Sequence, residues 1–160
     1  MPSCVDLDQP VDPLLDQELK DLNAYLKREN ITVEPNEAGV YYIEELAGSG
    51  FPPERYDTVT IRYTGYLLSG KIIDTSDKQV AIDNDIYDED NDYLPFTFVL
   101  GAYNVISGVQ EGVVLMKKGG KARIIFPSYL GYGASNYQLI PPYSSLIFDM
   151  ELVNIKWAKK

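Results

Sequence analysis

The residue pattern predicts an α+β domain, and three observations predict it. Phe96, Phe98 and Leu100, then Ala122, Ile124 and Phe126, then Leu146, Phe148, Met150 and Leu152 alternate at strand period. Between the first two of these runs, Ile106, Val109, Val113 and Met116 recur at helical spacing. Ahead of all of them, Leu15, Leu19, Leu22 and Leu26 mark a second, amphipathic helix. A sheet, one short internal helix and one N-terminal helix are therefore expected.

Residues 1–12 are polar and proline-broken and read as a flexible leader. Cys4 is the one cysteine of the chain. Its position fits the lipid-accepting cysteine of a bacterial lipoprotein whose signal peptide has been removed, which would place the protein in the cell envelope, periplasmic or lipid-anchored. The alternative is an ordinary thiol behind a native Met1, and a cytoplasmic protein. The N-terminal helix is predicted over 13–30, with Asp12 as N-cap and Pro13 in the first turn, where its missing N–H does no harm. Its leucine stripe is expected to face the main domain, with Asp16, Glu18, Lys20, Asp21 and Lys27 on the other sides. That packing favours a monomer over a dimer paired through this helix.

The main domain is predicted over 40–158. Val40 to Leu46 forms a strand with Tyr41 and Ile43 on one face, and Gly48, Gly50, Pro52 and Pro53 make a loop. Val59, Ile61 and Tyr63 then share one face of the next strand, Ser69-Gly70 turns the chain, and Lys71 to Asp74 return. Tyr63 is carried inward, where its hydroxyl needs a partner. Asp74 ends an apolar strand and needs hydrogen bonds of its own.

Residues 77–94 interrupt this regularity. Seven acids stand there against Lys78, a net −6 out of −10 for the whole chain. Asp88, Asp90 and Asp92 open like a calcium loop, but Tyr93 occupies the glycine position and Val99 that of the bidentate glutamate, so a solvated acidic loop is expected and no metal site. Such a loop would repel acidic polypeptides and attract basic ones. Farther on, Ser107 and Gln110 have capping-box spacing at the helix start, and Lys117, Lys118, Gly119 and Gly120 make a positive, glycine-stopped exit. The loop from Pro127 to Tyr143 carries Tyr129, Tyr132, Tyr137, Leu139 and Ile140 ahead of a proline pair.

Composition excludes several functions. With 160 residues the chain buries about two thirds of its unfolded surface without staples. It holds no histidine, which removes His-based triads and zinc sites. A net charge of −10 argues against nucleic acid, and no apolar run reaches the roughly 18 residues of a membrane span. Membrane association would come only through a lipid on Cys4.

PFTFVLG, VISGVQEGV, KAR, FPSYLGYG, IPP and LIFDMEL follow one another at near-regular spacing, preceded by YTGYL and SGKIIDTS. In this order they resemble the FKBP-type peptidyl-prolyl cis-trans isomerases over roughly residues 40–157. The resemblance implies an FKBP-like fold, a twisted antiparallel sheet of about five strands wrapping the short helix. It implies isomerisation of X–Pro bonds in proline-containing polypeptide clients, with no cofactor. Matched position by position, it implies Tyr63, Asp74, Ile106 and Tyr132 as catalytic residues. Ile73, Phe96, Val105, Val109, Leu139, Ile140 and Phe148 would then hold substrate. Two positions depart from the family pattern, Val109 where a tryptophan floor is usual and Ile73 where a phenylalanine wall is usual. Both imply a looser cleft, weaker turnover and poor macrolide binding. The alternative is the same fold acting as a chaperone or protein-binding module with little turnover.

Overall fold

A computed structural model describes residues 12–159. Cys4 and the rest of the leader ahead of Asp12 lie outside the described residues, and with them the lipidation reading.

Strands β1 (Tyr41–Leu46), β2 (Thr58–Leu67), β3 (Ile72–Thr75), β4 (Phe96–Val99), β5 (Lys121–Phe126) and β6 (Leu146–Lys156) form one antiparallel sheet. Its order is β1-β5-β6-β2-β3, and β4 also pairs with β2. The sheet has six strands where about five were expected, because β3 and β4 divide one edge of β2 between them. β4 pairs with Thr58 to Ile61 and β3 with Thr64 to Tyr66. At the gap between them the Tyr63 backbone is held by Ser76, whose hydroxyl takes the Tyr63 N–H at 2.9 Å and whose N–H reaches the Tyr63 carbonyl at 2.9 Å.

Each face of the sheet packs a helix. On one face Val59, Ile61, Phe98, Ala122, Ile124, Phe126, Phe148, Met150 and Leu152 close over Val109, Val113 and Met116. Val109 and Val113 belong to α3, which spans Ser107–Val113, and Met116 to the turn after it. On the opposite face Ile125 and Ile147 pack against Leu22 and Tyr25 of α1, Pro13–Arg28. The two isoleucines sit at the outward phase of their strands, so α1 supplies the burial that would otherwise be lost to water.

The orientation of α1 differs from the leucine-stripe reading. Asp12 does cap it, accepting the Leu14 N–H at 2.9 Å. The inward residues, however, are Glu18, Leu22 and Tyr25, while Leu15 is 39% and Leu19 50% exposed. Stripes beginning at 15 and at 18 both recur at i, i+4 and i+7, so spacing does not choose between them. The choice falls to the partners, since Tyr25 meets the apolar sheet face and Glu18 meets three hydrogen-bond donors.

Two smaller expectations are also corrected. The capping box does not form: Ile106 is the N-cap of α3 and makes no side-chain cap bond, and Ser107 already lies inside the helix. Gln110 reaches further back instead, donating to the carbonyls of Ala102 and Val105 at 2.8 and 2.9 Å and accepting the Gly101 N–H at 2.6 Å. The acidic segment, expected as a solvated loop, contains a short helix α2 (Lys78–Asp83) capped by Asp77, and its Ala81 is fully buried.

Candidate functional site

The split edge of β2, the start of α3 and the loop between β5 and β6 meet around a cavity of about 200 Å³. Tyr63 rises from β2, and its ring meets Phe96 edge-on at 6.3 Å and Phe148 at 6.0 Å. Phe148 of β6 stacks in turn on Phe126 at 5.8 Å. This aromatic layer depends on Gly65. A Cβ there would sit 2.8 Å from the Phe148 ring, so a side chain at 65 would displace the ring. Val109 lines the inner end, and Val105 and Ile106 form the wall at the helix start.

The polar groups are few and placed. The Tyr63 hydroxyl donates to Asp74 Oδ2 at 2.9 Å, and Asp74 Oδ1 accepts the Thr75 N–H at 2.9 Å. Burial raises the Asp74 pKa above its ordinary value, and these two hydrogen bonds pull it back only in part. Burial, and then the neighbouring Asp74 charge, push the Tyr63 phenol well above its usual range, so it remains a hydrogen-bond donor. Tyr132 is pushed up to about 12, first by burial and then by Tyr137 and Asp74. Its ring stacks on Tyr137 at 4.3 Å, nearly parallel. The Ile106 N–H finds no acceptor among the described residues, and the Gln110 side-chain carbonyl oxygen that a capping box would offer is taken by the Gly101 N–H.

Of the residues singled out from sequence, the structure brings Tyr63, Asp74, Phe96, Val105, Ile106, Val109, Tyr132 and Phe148 to this cavity. Ile73, Leu139 and Ile140 stand elsewhere. They line an adjoining groove of about 600 Å³, which shares Tyr63, Asp74, Tyr132, Tyr137 and Phe148 with the cavity. The other bank of that groove is the acidic insertion, through Ala81, Ile86, Tyr87 and Tyr93. Tyr87 and Tyr93 stack at 5.7 Å, and the Tyr93 hydroxyl takes the Asp88 N–H at 2.8 Å. Among the described residues no three potential ligand side chains gather for a metal; Asp88 Oδ1 instead accepts the Asp90 N–H.

Sequence reasoning missed Ile61, Asn104 and Tyr137 as cavity residues. Tyr137 could have been found, since it belongs to the tyrosine-rich loop that supplies Tyr132. Ile61 shares a strand phase with Tyr63 and gave the same signal as any core residue. Nothing in the sequence pattern marks Asn104.

A split antiparallel sheet thus closes over one short helix, with an aromatic-walled cavity at the helix start. The family model for FKBP-type peptidyl-prolyl cis-trans isomerase matches residues 50–153, and the chain belongs to that family. It is 37% identical over 128 residues to the FKBP-type peptidyl-prolyl cis-trans isomerase FkpA of Escherichia coli K12, covering 80% of this chain and 42% of that protein. It is 38% identical over 118 residues to FK506-binding protein 4 of Dictyostelium discoideum, covering 73% and 28%. The chain thus spans less than half the length of these curated relatives. Among solved structures, Escherichia coli FkpA aligns with a TM-score of 0.70 at 33% identity, over 90% of this chain and 61% of that one. A peptidyl-prolyl cis-trans isomerase from Pseudomonas syringae aligns with a TM-score of 0.69 at 28% identity, over 93% and 98%. The N-terminal helix lies outside the matched family segment. No helix among the described residues is long and apolar enough to cross a membrane.

Proposed function

We propose that this chain catalyses cis-trans rotation about X–Pro bonds in unfolded or partly folded polypeptides, with the prolyl ring seated in the cavity between β2, β6 and α3. The observation that carries this reading is an aromatic and aliphatic cavity of about 200 Å³ with the Tyr63–Asp74 pair, the Tyr132 ring and the Ile106 N–H all at its boundary.

Rotation is slow because the planar amide must lose its resonance, against a barrier of about 18–20 kcal/mol. No bond to a heavy atom is made or broken, so no nucleophile, metal or cofactor is required. The twisted amide has a less charge-separated carbonyl than the planar one and loses less on leaving water, so an apolar cavity favours it. Phe96, Val105, Val109 and Phe148 supply that environment for the ring. Ile106 offers its N–H and Tyr132 its hydroxyl to substrate carbonyls, which fixes the peptide on one side of the bond while the other side turns. Asp74, held by Tyr63, faces the distorted amide. Ile73, Leu139 and Ile140, in the adjoining groove, take up residues flanking the proline.

A proline-limited refolding assay tests this. A catalyst speeds the slow phase, which takes about tens of seconds unassisted, at substoichiometric amounts. A chaperone or docking module changes it only near equimolar amounts, and that result would overturn the enzymatic reading. The clients are proline-containing polypeptides. An envelope location, periplasmic or lipid-anchored, is part of the same proposal; mass measurement for a diacylglyceryl group on Cys4 tests the lipid-anchored form, and cell fractionation tests the location itself.

A further inference from the structure

Glu18 lies on the face of α1 turned toward the sheet and is 4% exposed. A carboxylate taken that far from water is costly unless hydrogen bonds replace its hydration. Its partners are specific: Oε1 accepts the Ser128 N–H at 2.6 Å and the Ser145 hydroxyl at 2.9 Å, and Oε2 accepts the Ser128 hydroxyl at 2.7 Å. Ser128 and Ser145 stand near the two ends of the loop that joins β5 to β6, 110 and 127 residues away from Glu18. One side chain therefore closes the base of the loop that carries Tyr132, Tyr137, Leu139 and Ile140.

The linkage continues to the site. The Ser128 carbonyl accepts the N–H groups of Gly131 and Gly133, both at 2.8 Å, and these two residues flank Tyr132. The Gly133 carbonyl accepts the Tyr143 N–H at 2.8 Å, tying the outgoing limb of the loop to the returning one. Leu22 and Tyr25, packed on Ile125 and Ile147, hold α1 in place, so Glu18 is presented from a fixed support. The geometry points to Glu18 as a positioning residue for the site: it lines neither the cavity nor the groove beside it and acts through the Ser128–Ser145 loop, setting where Tyr132 and its stacked partner Tyr137 stand. The kinetic part of this inference rests on the isomerase reading above; the structural part does not.

Two substitutions in the full chain separate positioning from bulk support. Glu18→Leu keeps the volume and removes every acceptor. Glu18→Gln keeps two of the three contacts, its carbonyl oxygen taking the Ser128 N–H and the Ser145 hydroxyl, and reverses the third, its amide donating to the Ser128 hydroxyl oxygen. In the refolding assay Glu18→Leu should lower kcat/KM about tenfold, and Glu18→Gln should recover it to within about twofold of the parent. By hydrogen exchange, the Gly131, Gly133 and Tyr143 amides should lose protection in Glu18→Leu and keep it in Glu18→Gln, with the β2–β6 ladder unchanged in both. Parental kcat/KM together with parental exchange at those three amides in Glu18→Leu would overturn the inference. So would protection lost equally along β2 and β6, which would make Glu18 a general stabiliser. If Glu18→Leu does not fold, Ser145→Ala removes one donor without touching α1. It should loosen the same three amides and cost about threefold in kcat/KM, and no change in either measure counts against the inference. A parent chain that fails to speed refolding refutes the isomerase reading, and the exchange measurements then decide the loop linkage alone.

Discussion

The small cavity and the groove beside it share Tyr63, Asp74, Tyr132, Tyr137 and Phe148 but take their remaining walls from different materials. The cavity adds Ile61 and Phe96 from paired strands and Val105, Ile106 and Val109 from the start of α3. Ladder hydrogen bonds fix Ile61 and Phe96, the buried core fixes Val109, and Gln110 braces the turn that carries Val105. The groove adds Asp85, Ile86, Tyr87, Asp88 and Tyr93 from the insertion, where isolated turn bonds such as Asp90 N–H to Asp88 Oδ1 and one tyrosine stack hold the chain. The cavity is thus framed by the sheet and the start of α3, whereas one bank of the groove belongs to the insertion. Substitutions at shared residues should disturb both, and substitutions in the insertion only the second.

The largest effect is expected at a shared, buried residue. Phe148→Ala removes the ring that joins Tyr63 to Phe126 and should cost about 3–5 kcal/mol of stability, read by urea unfolding, together with nearly all isomerase activity. Intact refolding catalysis in this variant would mean that the aromatic layer is not the prolyl wall. Next is Tyr63→Phe, which leaves the ring in place and takes away the partner of Asp74. A loss of about tenfold in kcat/KM is expected, equivalent to about 1.4 kcal/mol of barrier, with about 1 kcal/mol of stability.

The third expectation concerns pH. Burial raises the folded-state pKa of Asp74, so the native state holds its proton at pH values where the unfolded chain has released it. The contribution of this group to stability is therefore fully present below the unfolded carboxylate pKa and is lost as pH rises through the folded value. Activity should run the other way. If the ionised carboxylate faces the twisting amide, kcat/KM falls on acidification with a midpoint above that of a free aspartate. In Tyr63→Phe the midpoint should move higher still, because the hydrogen bond that favours the ionised form is gone. A midpoint unchanged by Tyr63→Phe would remove Asp74 from the chemistry.

The smallest effect belongs to the insertion. Asp85→Asn combined with Asp88→Asn should change stability by no more than about 0.5 kcal/mol. Turnover of a neutral proline peptide should be unaltered, while a lysine-flanked peptide loses about twofold at low salt and nothing at high salt. An equal loss for both peptides would show that the groove and the cavity are one site.

The sequence pattern carried most of the fold. The alternation in Ala122, Ile124, Phe126 and in Leu146, Phe148, Met150, Leu152 determined both the strands and their inward face, since a side-chain period of two leaves no choice of phase once one face is apolar. Family motifs rather than periodicity separated Tyr63, Asp74, Ile106 and Tyr132 from ordinary core and loop residues. Periodicity also determined that a helix follows Asp12, capped as expected. It did not determine which way that helix turns.

The orientation of α1, the distribution of Ile73, Leu139 and Ile140 to a separate groove, and the use of Gln110 as a brace for the turn ahead of α3 were decided only by tertiary contact. In each case several side chains share the same local spacing. What selects among them is a partner far along the chain, such as Ser128 and Ser145 for Glu18, whose distance in sequence carries no trace in the local pattern.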